Sequence, residues 1–256
     1  MKLFLWFGLV AILVFIGGVT SFVVTSNGVP KLDSEFDLEK QMKLSVEGER
    51  MSLKLGLYSK DKGGIAYERP DFSKLPKEFV AMFLSQIGCP TYFQTPREEG
   101  TAWTRRMFLA YFGFFRPGDG ECERQLGMQV AEEIGITGNA EQNIAASRLH
   151  EFLQKDQLLA YAIAGMVFDR AVVGPDAASK VLFDKPLDEL QLSEISELAL
   201  ALPQNGFFDE LHECKNPSLL RQARDGILGR LAKQGLVPEE RAKNAQLMPM
   251  ACLRAP

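Results

Sequence analysis

The sequence predicts a mainly α-helical protein, one compact helical domain behind a single N-terminal apolar helix. Three observations lead there. The chain opens on a long run without charge, apolar residues recur at three- and four-residue spacing from about residue 75, and glycines and prolines punctuate that pattern at helix-length intervals. With 256 residues, 46% apolar and 24% charged, the chain has enough apolar matter for a proper core. A net charge of −4 and the lack of any lysine or arginine tract exclude nucleic acid as a partner.

Residues 3–24, LFLWFGLVAILVFIGGVTSFVV, carry no charged side chain. At roughly 1.5 Å of rise per residue such a helix spans about 30 Å, the thickness of a bilayer core. A cleaved signal peptide has an apolar region of only about 7–15 residues ending in small residues. The greater length here favours a retained anchor, residues 1–29. Lys2, the one charge before the run, favours an N-in orientation, which puts residues 30–256 outside the membrane.

Residues 30–70 read as a connector with one or two short strands, such as MSLKLGLY at 51–58. Residues 71–245 read as the helical domain and 246–256 as a tail. In LPKEFVAMFLSQI, Phe79, Met82, Phe83 and Ile87 share one helix face, and Pro76 suits a first turn. Residues 102–116, AWTRRMFLAYFGFFR, form either a buried helix or a segment at the membrane interface, with Arg105 and Arg106 reaching phosphates. Helical periodicity continues through 121–134, 139–154 and 155–170. Glu121, Glu123, Glu132 and Glu133 are expected on a solvated face, and His150 lies on the second of these helices. Ser193 is the expected N-cap of the helix that Pro203 stops, and Gly235 closes the last one.

The four cysteines allow three pairings. Pairing within each half of the chain favours Cys89 with Cys122 and Cys214 with Cys252, and free buried thiols remain the alternative. There is no CxxC, and with only His150 and His212 no zinc site is expected.

Three blocks carry a resemblance. The first is Gly174, Ala177, Ala178, Phe183 and Lys185. The second is Leu192, Ser193, Glu197, Leu198, Ala199, Ala201, Leu202 and Pro203. The third is Asn216, Pro217, Arg224, Ile227, Leu228, Leu231 and Gly235. In order and spacing they resemble the family 51 glycosyltransferases, lysozyme-like enzymes that polymerise lipid II into peptidoglycan glycan strands. Lys155 to Leu159 resembles that family's S-K-D-E-I-L, and 75–83 the start of its first catalytic helix. The resemblance covers about 75–240. It implies a lysozyme-like helical domain on the outer (periplasmic) face of the cytoplasmic membrane, with no cofactor and no metal.

The family's reaction needs a carboxylate to accept the proton of the attacking hydroxyl and cations to hold the departing diphosphate. Carrying its E-D-x-x-F-x-x-H motif over from Leu75-Pro76 puts Ile87 at the glutamate and Gly88 at the aspartate. A slide onto Phe93 gives Cys89 and Pro90 instead. The second motif, Q-G-G-S-T-I-T-Q-Q-L-A-K-N, falls on 121–133, where Gln129 and Ala131 match but Glu132 replaces the lysine and the paired glycines are gone. The third, R-K-x-x-E, falls on 138–142 without its cations. The remaining candidates are Glu98, Glu99 and Glu141 for the carboxylate, and Gln129, Arg105 and Arg106 for substrate. Packing blocks survive while chemical blocks are damaged. The expectation is a degenerate relative that binds glycan strands, lipid-linked precursor or a cell-wall assembly protein. An active divergent transglycosylase and an unrelated helical interaction module are the alternatives.

Overall fold

The computed structural model describes residues 16–47, 71–97, 121–169 and 172–253. The protein is mainly helical, as the periodicity predicts. Residues 16–28 are helical, followed by α1 (Glu35–Glu47), α2 (Lys77–Gln86), α3 (Glu121–Glu133), α4 (Asn139–Phe152) and α5 (Lys155–Ala164). A hairpin of β1 (Val167–Asp169) and β2 (Val172–Val173) comes next, antiparallel, with Val167 opposite Val173. The chain continues through α6 (Pro175–Phe183), α7 (Leu192–Leu200), α8 (Phe208–His212), α9 (Pro217–Lys233) and α10 (Glu239–Leu247). Residues 1–41 with 95–158 form one compact unit, and 42–94 with 159–256 a second.

In the first unit α3 packs on α4. The side chains of Leu126, Val130 and Ala131 on one helix, and of Ile144, Ala145 and Leu149 on the other, are buried between them. Closest approach is at Gly127, where an added Cβ would stand 2.7 Å from the Cβ of Ala146. Gly127→Ala therefore destabilises the protein by about 1–3 kcal/mol through overpacking. That outweighs the roughly 1 kcal/mol that alanine gains over glycine in a helix. Thermal unfolding checks this, and adding Ala146→Gly should recover part of the loss.

The second unit is built around α7, which is buried at every position from Ser193 to Leu200 and packs against α2, α6, α9 and α10. Burial on all sides leaves no solvated face, so the charged side chains set among its apolar ones are partnered inside the protein, Glu194 by Lys185 and Glu197 by Arg224. The expected cap shifts by two residues. Gln191 is the N-cap and its backbone N–H donates to Glu194 Oε2 at 2.9 Å, while Ser193 lies inside the helix, 1% exposed. Of the α2 stripe, Phe79, Met82 and Phe83 are buried and Ile87, at the helix end, is half-buried. Gly174 precedes α6 with φ +81° and approaches the Ala164 carbonyl so closely that a Cβ would lie 3.0 Å from its oxygen, so only glycine fits. After α9, Leu236 N–H donates to Leu231 O at 3.0 Å and Gly235 takes φ +71°, the glycine-closed terminus the sequence predicts.

The packing blocks meet at a buried ion pair. Arg224 of α9 and Glu197 of α7 are both fully buried, with Nη1 3.3 Å from Glu197 Oε1. Arg224 also donates to the carbonyls of Met248 (2.9 Å) and Gln246 (3.0 Å), and Glu197 Oε2 accepts the Ala251 N–H at 2.9 Å. The 246–251 segment is thereby tied to α7 and α9. A Cys214–Cys252 disulfide ties it again, and no cysteine is a free thiol.

The 30–70 connector contains a helix, α1, in its first half, where the sequence predicts none. The chain turns into it at Ser34, whose Oγ accepts the Asp37 N–H at 3.3 Å. The strands expected at 51–58 lie outside the described residues, as does the aromatic run at 102–116. Of the predicted membrane span the described part is 16–24, all helical. Among the described residues no helix is long and apolar enough to cross a membrane.

Candidate functional site

The sequence puts the chemistry at three places: the end of α2, the length of α3 and the start of α4. Glu98, Glu99, Arg105 and Arg106 lie outside the described residues. The other candidates can be followed one by one.

At the end of α2, Ile87 is the C-cap, half-buried, and its N–H closes the last turn on Phe83 O at 3.1 Å. Gly88 comes next with φ +78°. That is the left-handed region, where an aspartate would be strained. The backbone here suits a glycine after a helix stop, and neither residue can accept a proton.

Along α3, Gln129 is half-buried and donates through Nε2 to Glu133 Oε1 at 3.2 Å, and Glu132 is exposed. Burial, with the neighbouring Glu132 charge adding to it, pushes the Glu133 carboxyl well above its ordinary range against the pull of Gln129. The sequence pattern assigns Glu133 to a solvated face, and the structure leaves it half-buried, with its Oε2 shielded from solvent. Arg124 is held by Glu121 (Nε to Oε2, 3.1 Å) and by Asn143 Oδ1 (2.9 Å). At the start of α4, the Glu141 carboxylate folds back over Gly138, where a Cβ would lie 1.8 Å from its Oε2. It is the first-turn carboxylate of α4, close to the positive end of the helix dipole.

Glu123 also departs from the expected solvated face. It is 3% exposed. His150 Nδ1 lies 2.8 Å from its Oε2 and Lys155 Nζ 3.1 Å from its Oε1. Burial raises its pKa, but the hydrogen bonds from His150 and Lys155, with their charges, outweigh that and hold the carboxyl below its ordinary range. The cluster extends to the segment before residue 98. Lys155 donates to the Thr95 carbonyl at 2.7 Å, and Arg97 donates to the backbone carbonyl of His150 and to Gln154 Oε1 at 3.0 Å. A carboxylate so paired and so enclosed makes a poor base. It works as a pin between α3, α4 and the start of α5.

Among the described residues no group of three or more histidine, cysteine and acidic side chains is placed to hold a metal ion. Cavities of about 610 and 460 Å³ lie in the second unit, the first lined by α9 with Leu247 and Met250, the second by Lys77, Glu78 and Arg241. The first takes in Pro217 and the second Leu192 from the packing blocks, and neither is lined by Ile87, Gln129, Glu132 or Glu141. In the second, Glu78 is ion-paired with Arg241 at 3.0 Å.

Residues 124–232 match the family model described as transglycosylase. The matched stretch starts downstream of Ile87 and takes in the first two packing blocks and the third as far as Leu231. The chain is 22% identical to penicillin-binding protein 1A of Rickettsia felis over 194 residues, which is 72% of this chain and 24% of that protein. Over 126 residues it is 32% identical to penicillin-binding protein 1F of Bacillus subtilis, 46% of this chain and 17% of that protein. Against penicillin-binding protein 1A of Pseudomonas aeruginosa it is 20% identical over 246 residues, 94% of this chain and 29% of that protein. The chain thus spans about a quarter of the length of the curated relatives it matches.

Proposed function

From a chain that carries a transglycosylase-like domain, we propose a peptidoglycan glycosyltransferase-like protein of cell-wall assembly that does not polymerise. In this reading the N-terminal run holds it in the cytoplasmic membrane with the domain on the outer side. There it binds glycan strands, lipid-linked precursor or an assembly partner. The observation that carries it is the end of α2. In the register set from Leu75-Pro76 the family's adjacent carboxylates fall on Ile87, a helix C-cap, and Gly88, which takes a left-handed backbone, and neither side chain can take a proton. Polymerisation without a proton acceptor forgoes about two to four orders of magnitude in rate.

The test is incubation of the full chain with lipid II and gel separation of the glycan products. No polymer is expected, with precursor or isolated glycan strands retained on the immobilised protein. Polymer at a rate matching a penicillin-binding protein 1A assayed alongside would overturn the reading.

A second reading, an active divergent transglycosylase, is favoured by Glu133. A carboxyl pushed toward its protonated form on the helix of the second motif has the character of a tuned acid or base. Under that reading polymer forms, and Glu133→Gln abolishes it while the fold stays intact.

A further inference from the structure

Arg148, on α4, spends its guanidinium on the chain leaving the N-terminal helix. Its Nη2 donates to Ser26 O at 2.9 Å and Ser26 Oγ at 3.1 Å, and its Nη1 to Pro30 O at 2.8 Å and Val29 O at 3.2 Å. Four acceptors within five residues converge on one side chain. The Ser26 carbonyl belongs to the last turn of helix 16–28, where unsatisfied carbonyls and the negative end of the dipole favour a cation. The chain beyond that helix is laid down on the same unit: Val29, Leu32 and Leu38 are 6%, 1% and 0% exposed. A flexible tether needs neither the apolar anchors nor the guanidinium fork.

This strap carries one conspicuously exposed ring. Phe36, in the first turn of α1, is 74% exposed, with Leu38 buried on the opposite side of the helix. Eight residues separate it from the end of the N-terminal helix, a reach of less than about 28 Å even if fully extended. Phenylalanine on a helix lying at a membrane surface is favoured at the boundary between headgroups and acyl chains.

We propose that Arg148 locks the angle at which the chain leaves the bilayer, so that the first unit rests on the membrane surface through Phe36. The partner of this surface is the polar–apolar boundary of the bilayer. The inference rests on the membrane reading above. It goes further in making the link between anchor and domain rigid and in naming the residue that makes it so.

The experiment uses the full chain in nanodiscs of phosphatidylcholine and phosphatidylglycerol. Phe36→Trp is compared with the parent protein for quenching by lipids brominated near the carbonyls. Extra emission in Phe36→Trp that is quenched in the discs, with the quenching roughly halved or less on adding Arg148→Ala, is the expected result for a ring held at headgroup level. A glycine-serine insertion of four residues between Lys31 and Leu32 leaves Arg148 and α4 intact, and the same loss is expected from it. Equal quenching with and without both changes would overturn the lock. No quenching in a chain that travels with the discs would overturn the surface contact and leave the anchor standing. A chain that does not travel with the discs removes the anchor reading and this proposal with it.

Discussion

Arg224→Ala is expected to lower the midpoint of thermal unfolding by roughly 6–20 °C. Removing one partner of a buried ion pair leaves the other charge uncompensated, at a cost of about 3–5 kcal/mol. For a chain of this size each kcal/mol moves the midpoint by about 2–4 °C. Glu197, fully buried, would lose its guanidinium partner while still accepting the Ala251 N–H. Two carbonyls, of Gln246 and Met248, would lose their donor as well. Arg224→Lys should recover little, because a single ammonium cannot reach Glu197 and both carbonyls in the geometry of the fork. The double variant Glu197→Gln with Arg224→Met removes both charges together and should unfold closer to the parent than Arg224→Ala does. Circular dichroism melts of the four proteins decide it. A midpoint for Arg224→Ala within about 2 °C of the parent would mean that the pair carries no net stability, as exposed pairs often do.

The same pair shows what the sequence made legible. Glu197 and Arg224 are each visible as positions in a family pattern, 27 residues apart, with nothing in the local sequence to say that they touch. The helices around them are readable because periodicity and stop residues are local. Gly235 and the Phe79, Met82 and Phe83 face of α2 behave as read for that reason. Long-range pairing is not local, and it is where the sequence misleads.

Glu123 is the clearest miss, and the signal was present. It stands at the head of the stripe 123, 126, 127, 130, 131, every member of which is buried. A carboxylate on that stripe belongs inside. His150 likewise comes after Ala146 and Leu149 on the buried face of α4. Two polar residues on two facing apolar stripes are candidates for each other. Helix α1 escapes notice for a different reason. The 30–47 segment is too polar to announce a core, although Ser34 with Glu35 and Asp37 just after it is a helix-start signature.

That buried cluster yields the other large expected effect, a dependence of stability on pH that runs through Glu123. Its carboxyl is held below its ordinary range in the folded protein, against about 4.3 for an unfolded glutamate. A depressed carboxyl binds protons less readily folded than unfolded, so its stabilisation is complete above the unfolded value and is withdrawn as pH falls through the folded one. Glu123→Gln should therefore be less stable than the parent at pH 7, by about 3 kcal/mol, since Lys155 would lose its buried carboxylate partner. The gap should narrow below about pH 4 and close once the folded carboxyl itself is protonated. Urea unfolding of both proteins across pH 3–7 measures it, and a constant gap over that range would show that the carboxylate charge is not what the cluster uses. The same variant separates structure from chemistry. If Glu123 were the proton acceptor of a divergent polymerase, glutamine would abolish lipid II turnover at every pH, including neutral conditions in which the variant is still folded. As a pin between helices, its loss should alter stability while leaving whatever lipid II turnover the parent has at the parent's level.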